Sequence, residues 1–294
     1  MSKFTLFLMS EKGYRSLKGI VESFGSDIID FIVYAKDKNV QQDYTNEIIN
    51  FAVENNIRVY EKSDIYAITS KYIIAISWRW LIPINTENTL ITLHDSLLPK
   101  YRGFSPLVNQ LLNREPYIGV TAIVSNTEYD KGDIIAQSKT KVNYPIRIKD
   151  AIAEVSELYV DVLKIVIRQA IENKSLKTTT QNESEATYSL WRDEEDYRID
   201  WNQSSKEIRN FIFALGFPYK GASAYILNKK IRIHDAIELN DLVVVNRNVG
   251  KVIFMENNFP VVVCGKGLLK ITDATYDVDG KSIFPLNKFR IRFL

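Results

Sequence analysis

Two histidines occur in the 294 residues, His94 and His234. His94 closes an apolar run and is followed at once by Asp95-Ser96-Leu97-Leu98-Pro99-Lys100-Tyr101-Arg102-Gly103. Imidazole changes charge near neutral pH, and in an open α/β sheet ligands bind at the carboxyl ends of strands, so His94 is the first candidate for moving a proton. Asp130, in the turn Asp130-Lys131-Gly132-Asp133, is the second. Taken singly neither decides anything: a histidine at a strand end is more often structural, and an aspartate in a glycine-containing turn is ordinarily a turn former.

Short apolar runs at Phe4 to Met9, Ile28 to Tyr34, Tyr72 to Trp78 and Leu90 to Leu93 alternate with amphipathic stretches, which predicts strand and helix units of a parallel sheet. Leu17, Ile20, Val21 and Phe24, and then Ile48, Ile49, Ala52 and Val53, keep the three-and-four spacing of crossover helices. Pro106 suits the first position of a short helix carrying Leu107, Leu111 and Leu112. Two further strands, Gly119 to Ser125 and Asp133 to Val142, are joined by the Asp130 turn, and a long helix follows from Ile148 to Asn173. The polar stretch from Lys174 to Glu185 reads as a linker, which gives a catalytic domain over 1–180, a linker over 181–203 and a smaller domain over 204–294.

In the last part, Ser204 with Glu207 makes a capping-box pattern for a helix whose stripe is Ile208, Phe211, Ile212 and Leu215. Short strands at Tyr225 to Ile226, Lys230 to Ile233, Lys251 to Phe254, Val261 to Cys264 and Leu268 to Thr272, separated by Asn, Gly and Pro, predict a small β-rich barrel. The fold class is therefore α/β and Rossmann-like, with a β-rich, OB-like second domain.

Composition narrows the functions available. Thirty-eight basic against 36 acidic residues leave a formal charge of +2, which supplies no field for nucleic acid or an anionic membrane. The single cysteine, Cys264, excludes an internal disulfide and a multi-thiolate metal site, and after Val261, Val262 and Val263 it reads as a small buried side chain. Phe4 to Met9 is too short for a signal-peptide core, and no run approaches the roughly 18 apolar residues of a membrane span, so a cytoplasmic protein is expected.

The string from His94 to Gly103, then Gly119-Val120-Thr121, then Tyr129-Asp130-Lys131-Gly132-Asp133-Ile134-Ile135, resembles the core of the folate-dependent formyltransferases. The 36 positions from His94 to Asp130 are similar to the family spacing. Past the linker, Ala186-Thr187-Tyr188, Arg198-Ile199-Asp200-Trp201 and Ile208-Arg209 through Phe217-Pro218 resemble the start of the C-terminal barrel of methionyl-tRNA formyltransferase and its sugar-modifying relatives.

The resemblance implies acyl transfer from N10-formyltetrahydrofolate to an amine, without a metal. It places His94 as the donor to the developing oxyanion, a role that contributes on the order of 3 kcal/mol, and Asp130 as the group that orients His94 and relays the amine proton. The family carries Asn two residues before the histidine, where this sequence has Thr92. Three readings stay open: the hydroxyl substitutes for the amide, a water or a neighbour fills the gap, or activity is lost and the protein only binds folate and nucleotide sugar. For the folate, the resemblance implies Trp78, Arg79, Trp80 and Leu81 after the fourth strand and the loop Asn126, Thr127, Glu128 and Tyr129, through backbone groups; Trp78 and Trp80 read equally well as core.

Two acceptor classes follow. Methionyl-tRNA formyltransferases carry a long basic insertion after the second strand, whereas here only Ala35 to Asp43 stands there, with balanced charge. The short chain resembles instead the branch that formylates nucleotide-linked amino dideoxy sugars, typically dTDP-linked, for surface polysaccharide such as O-antigen, as a homodimer. Lys12 and Gly13 after the first strand, with Arg192, Tyr219 and Lys220, are the expected substrate-binding residues.

Overall fold

A computed structural model describes residues 3–38, 40–172, 175–286 and 288–294. Asn39, Lys174 and the last residue of the long helix expected to end at Asn173 lie outside the described residues. The chain divides into two units, Met1–Asn143 with Asp150–Trp191, and Tyr144–Lys149 with Arg192–Leu294.

The first unit runs β1 (Phe4–Leu8), α1 (Ser10–Phe24), β2 (Ile29–Tyr34), α2 (Thr45–Glu54), β3 (Arg58–Glu61), β4 (Tyr72–Ile76), β5 (Thr89–His94), β6 (Arg102–Gly103), α3 (Pro106–Leu112), β7 (Tyr117–Val124), β8 (Asp133–Lys141), α4 (Ile148–Glu172) and β9 (Tyr188–Ser189). Its seven-stranded sheet has the order β3-β2-β1-β4-β5-β7-β8. The pairs from β3 through β5 are parallel and the two made by β7 are antiparallel. Every residue of β1 and β4 is buried, which is why both read as unbroken apolar runs rather than alternating ones. Leu17 and Ile20 of α1, Ile48 and Ala52 of α2, and Val155, Val162 and Val166 of α4 are all buried, as their helical spacing requires. β3 escaped the sequence reading because this four-residue edge strand has no buried position.

The second unit contains α5 (Ser205–Ala214), β10 (Ala222–Ile226), β11 (Lys229–Leu239), β12 (Val252–Glu256), β13 (Phe259–Val263) and β14 (Leu268–Tyr276). Its antiparallel sheet has the order β10-β11-β14-β13-β12. Ser204 and Glu207 form the expected capping box at the start of α5, and Ile208 and Ile212 pack with Ile231, Ile233 and Ile271. Cys264 is fully buried in that cluster, and burial pushes its thiol up to about 12, which leaves it an inert apolar side chain.

The stretch expected as a linker behaves differently. Residues 181–191 belong to the first unit, and the division falls after Trp191. Gln181 is buried, and Tyr188–Ser189 pairs with Arg102–Gly103 as a two-stranded sheet. A polar segment looks like a linker only while its polar groups face water, and here they meet protein donors and acceptors. Tyr144–Lys149 joins the second unit, where Arg147 donates to Asp235 Oδ1 at 2.9 Å.

Candidate active site

β5 delivers Thr92 and His94 to one face of the sheet, because alternate strand residues point the same way. His94 is nearly buried, and its Nε2 donates to the Tyr101 carbonyl at 2.7 Å. That carbonyl is held by a tied loop. Thr121 donates to the Ser96 carbonyl at 2.6 Å and accepts from the Leu98 N–H at 3.0 Å, Ser96 Oγ donates to the Lys100 carbonyl at 2.6 Å, and Gln137 donates to the Leu98 carbonyl at 2.8 Å. With Nε2 committed, Nδ1 is the nitrogen left for chemistry.

Nδ1 faces Asp130 Oδ1 at 3.5 Å. Asp130 sits in the left-handed region at φ 55°, a costly conformation for a residue with a Cβ. Its other carboxylate oxygen accepts the Gly103 N–H at 2.8 Å. Gly103 has φ 100°, and a Cβ there would lie 2.5 Å from the Ser189 carbonyl, so glycine is required for that N–H to reach the carboxylate.

Thr92 Oγ1 and Ser125 Oγ are hydrogen-bonded at 2.9 Å. Two hydroxyls carry two protons, and one of these lies between the oxygens, so the pair keeps one O–H to donate elsewhere. Ser125 starts the loop that holds Asn126 to Tyr129 and ends at Asp130, which couples Thr92 to the same loop as the carboxylate. Within it Asn126 Oδ1 accepts the Glu128 N–H at 2.9 Å, Lys131 pairs with Glu128 at 2.5 Å, and Tyr129 is exposed.

Beyond β4, Trp78 lies edge-on to Phe7 at 5.0 Å and to Trp80 at 5.2 Å between ring centroids. Its Nε1 is a buried donor without a partner among the described residues. Arg79 is committed to Asp37 by two hydrogen bonds of 3.1 and 2.6 Å, Lys62 lies 4.0 Å over the Trp80 ring, and Leu81 is exposed.

Lys12 and Gly13 lie in the first turns of α1. The Lys12 ammonium pairs with Asp95, which also accepts the Tyr159 hydroxyl at 2.5 Å. Burial opposes the charge on Asp95, but Lys12, Tyr159 and His94 together hold its carboxyl below the usual range. Burial, with Asp95 beside it, pushes the Tyr159 hydroxyl well above its ordinary value. Lys12 is thus consumed inside the fold rather than held out to a phosphate. Gly13 packs against Leu8, where a Cβ would come within 3.3 Å. Arg192, Tyr219 and Lys220 belong to the second unit; Arg192 donates to the Asp196 carbonyl at 3.3 Å and Lys220 lies 3.8 Å from Glu194.

Among the described residues no group of three or more His, Cys, Asp or Glu is placed to hold a metal, and no helix is long and apolar enough to cross a membrane. Sequence reasoning gave no role to Gly103, Tyr101 or Ser125. The first two lie inside the string that follows His94, and Ser125 carried no signal of its own.

Residues 38–167 match the family described as formyl transferase, and residues 192–289 match formyl transferase, C-terminal domain. The methionyl-tRNA formyltransferase of Carboxydothermus hydrogenoformans is 30% identical over 236 residues, covering 74% of this chain and 74% of that protein. This chain belongs to the formyl transferase family. A second relative of the formyltransferase, the methionyl-tRNA formyltransferase of Syntrophomonas wolfei, is 27% identical over 257 residues, 86% of this chain and 79% of that one. Among solved structures, WlaRD, a sugar 3N-formyl transferase in the presence of dTDP and 5-N-formyl-THF, superimposes with a TM-score of 0.68 at 24% identity over 98% of this chain and 99% of its own. The N-formyltransferase of Helicobacter canadensis, in complex with folinic acid and dTDP-3-aminofucose, gives 0.66 at 20% identity over 92% and 99%. At these identities the two structures establish a shared fold.

Proposed function

We propose that this formyltransferase moves the formyl group of N10-formyltetrahydrofolate to the amine of a nucleotide-linked amino dideoxy sugar, dTDP being the expected nucleotide. The His94–Asp130 contact at 3.5 Å carries the reaction class. In the neutral ring with Nε2 protonated, Nδ1 and the carboxylate are both acceptors, so the pair closes to a hydrogen bond only by sharing one proton. Such a pair meets both proton demands of acyl transfer. Asp130 takes the proton that the amine sheds as its nitrogen bonds to the formyl carbon. His94 gives its Nδ1 proton to the folate nitrogen as the old carbon–nitrogen bond breaks. Passage of the proton from Asp130 to Nδ1 then restores the starting state. The free hydroxyl proton of the Thr92–Ser125 pair serves the charge that develops on the formyl oxygen.

For the co-substrate, the segment after β4 supports the reading with aromatic rings, Trp78 and Trp80 at 5.2 Å, and a buried Trp78 Nε1 without a partner among the described residues. For the acceptor, the segment between β2 and α2 is short, and its described acids are occupied internally: Asp37 receives Arg79, and Asp43 accepts the Thr45 N–H at 3.1 Å and its hydroxyl at 2.9 Å. Among its described residues only Lys36 and Lys38 are basic, far fewer than the several phosphate contacts that grip a polyanion. The higher TM-scores of the two sugar enzymes, 0.68 and 0.66 against 0.56 for the methionyl-tRNA formyltransferase of Clostridium thermocellum, support the same choice. A second reading, methionyl-tRNA as acceptor, is favoured by the names of the sequence relatives. In the preferred reading the enzyme works in the cytoplasm as a homodimer, upstream of surface polysaccharide.

Tetrahydrofolate release, followed by absorbance with N10-formyltetrahydrofolate and a panel of dTDP- and UDP-linked amino sugars, tests the proposal. Turnover with a sugar supports it. Turnover with charged initiator methionyl-tRNA alone replaces the acceptor, and silence with every acceptor points to the Thr92 substitution.

A further inference from the structure

The turn that carries Asp130 is held from behind by a side chain far away in sequence. Gln181 is 6% exposed, and its Nε2 donates to the Asp130 and Gly132 carbonyls, each at 2.7 Å. Its Oε1 accepts from Arg102 Nε at 3.2 Å and Nη2 at 2.8 Å. Both protons and both lone pairs of the carboxamide are therefore used, and flipping the amide would oppose oxygen to two carbonyls and NH2 to a guanidinium.

Arg102 is itself 1% exposed and is compensated by Glu183, which receives Nη1 at 2.9 Å and Nη2 at 2.6 Å. The Gln181 backbone is fixed nearby, where Thr179 and Ile134 exchange two hydrogen bonds of 2.8 Å. Arg102 and Gly103 are adjacent, so one dipeptide grips the Asp130 turn twice: Gly103 N–H holds the carboxylate, and the Arg102 side chain orients the amide that holds the backbone. Position 132 accepts only glycine in this arrangement, since a Cβ there would lie 1.8 Å from the Val124 carbonyl.

We propose that Gln181, oriented by Arg102, is a positioning residue of the formyl-transfer reaction: its two hydrogen bonds keep Asp130 in the left-handed conformation and its carboxylate within reach of His94 Nδ1. Gln181 touches no reacting atom, and its effect passes entirely through Asp130. The inference rests on the reaction proposed above only for its kinetic readout.

The test uses Gln181→Met, which keeps the length and removes all four hydrogen bonds, and Gln181→Glu, which keeps the shape and sets an oxygen against the two carbonyls. Expected for each is a fall in kcat of roughly ten- to a hundredfold, with KM for either substrate changed less than about threefold. In an Asp130→Asn background Gln181→Met should bring no further loss, because the two act as one unit. Hydrogen exchange of the Gly103 amide supplies a readout without catalysis: a displaced carboxylate leaves that N–H unprotected, so exchange should quicken by at least tenfold in either variant. A folded Gln181 variant with wild-type kcat and wild-type Gly103 protection overturns the proposal, as does full additivity with Asp130→Asn. Lack of turnover by the wild type would instead count against the reaction assigned to the enzyme, while Gly103 exchange would still decide the clamp.

Discussion

His94 presents Nδ1 to Asp130 Oδ1 at 3.5 Å while its other ring nitrogen donates to the Tyr101 carbonyl at 2.7 Å. Backbone thus orients the ring through one nitrogen while a carboxylate faces the other. His94→Ala and Asp130→Ala are each expected to lower kcat by roughly a hundredfold or more, with circular dichroism unchanged. Turnover near the wild-type rate in either variant would remove that residue from the mechanism.

The Thr92–Ser125 pair leads to a different expectation. Thr92→Val removes one hydroxyl and should reduce kcat by at least about tenfold, toward the range seen for loss of an oxyanion donor. Thr92→Asn restores a donor of longer reach and should keep or raise turnover. A Thr92→Val enzyme as fast as wild type would mean that the hydroxyl donates nothing to the reaction.

Lys12 serves the fold, and its removal should show in stability before it shows in binding. Lys12→Met leaves the buried Asp95 carboxylate uncompensated, a change that costs about 3–5 kcal/mol, read from urea unfolding. The carboxyl is held below its unfolded value of about 3.9, so the ion pair contributes above that pH and is lost as acid carries the pH down through the lowered folded value. The stability gap between wild type and Lys12→Met should therefore be widest near neutral pH and narrow as acid protonates Asp95, first in the variant, where burial acts without the ammonium, and last in the wild type. Tyr159 acts at the other end: its hydroxyl is raised, so its contribution is present below about pH 10 and fades as the pH climbs above that.

Gly132→Ala should be among the most damaging single changes in the first unit. The added Cβ would lie 1.8 Å from the Val124 carbonyl, and backbone is the only thing able to move. A loss of about 3 kcal/mol or more is expected, together with lost activity from a displaced Asp130. Gly25→Ala offers the control, because open space surrounds that position; its φ of 78° leaves only the backbone strain.

Much of this was legible in the sequence. The buried strands β1 and β4 announced themselves as apolar runs, and the string after His94 with the Asp130 turn singled out two side chains that the fold brings to 3.5 Å. What stayed hidden depends on partners that sequence spacing does not reveal. Lys12 looked available for a phosphate because Asp95, its partner, lies 83 positions away. Gln181 is one amide in a polar stretch that reads as linker, and its role appears only when Arg102, 79 positions earlier, folds against it. Ser125 gained meaning from the pairing of β5 with β7, which places its hydroxyl on Thr92.

The central claim, formyl transfer to a nucleotide-linked amino sugar, is tested most directly by competition. The enzyme is given N10-formyltetrahydrofolate with an isotopic label in the formyl carbon, in the presence of both a dTDP-linked amino sugar and charged initiator methionyl-tRNA, and the labelled product is identified. The account predicts that the label appears on the sugar amine and that Asp130→Ala slows its transfer by roughly a hundredfold or more. Label found on methionyl-tRNA, with the sugar left unmodified, would contradict it.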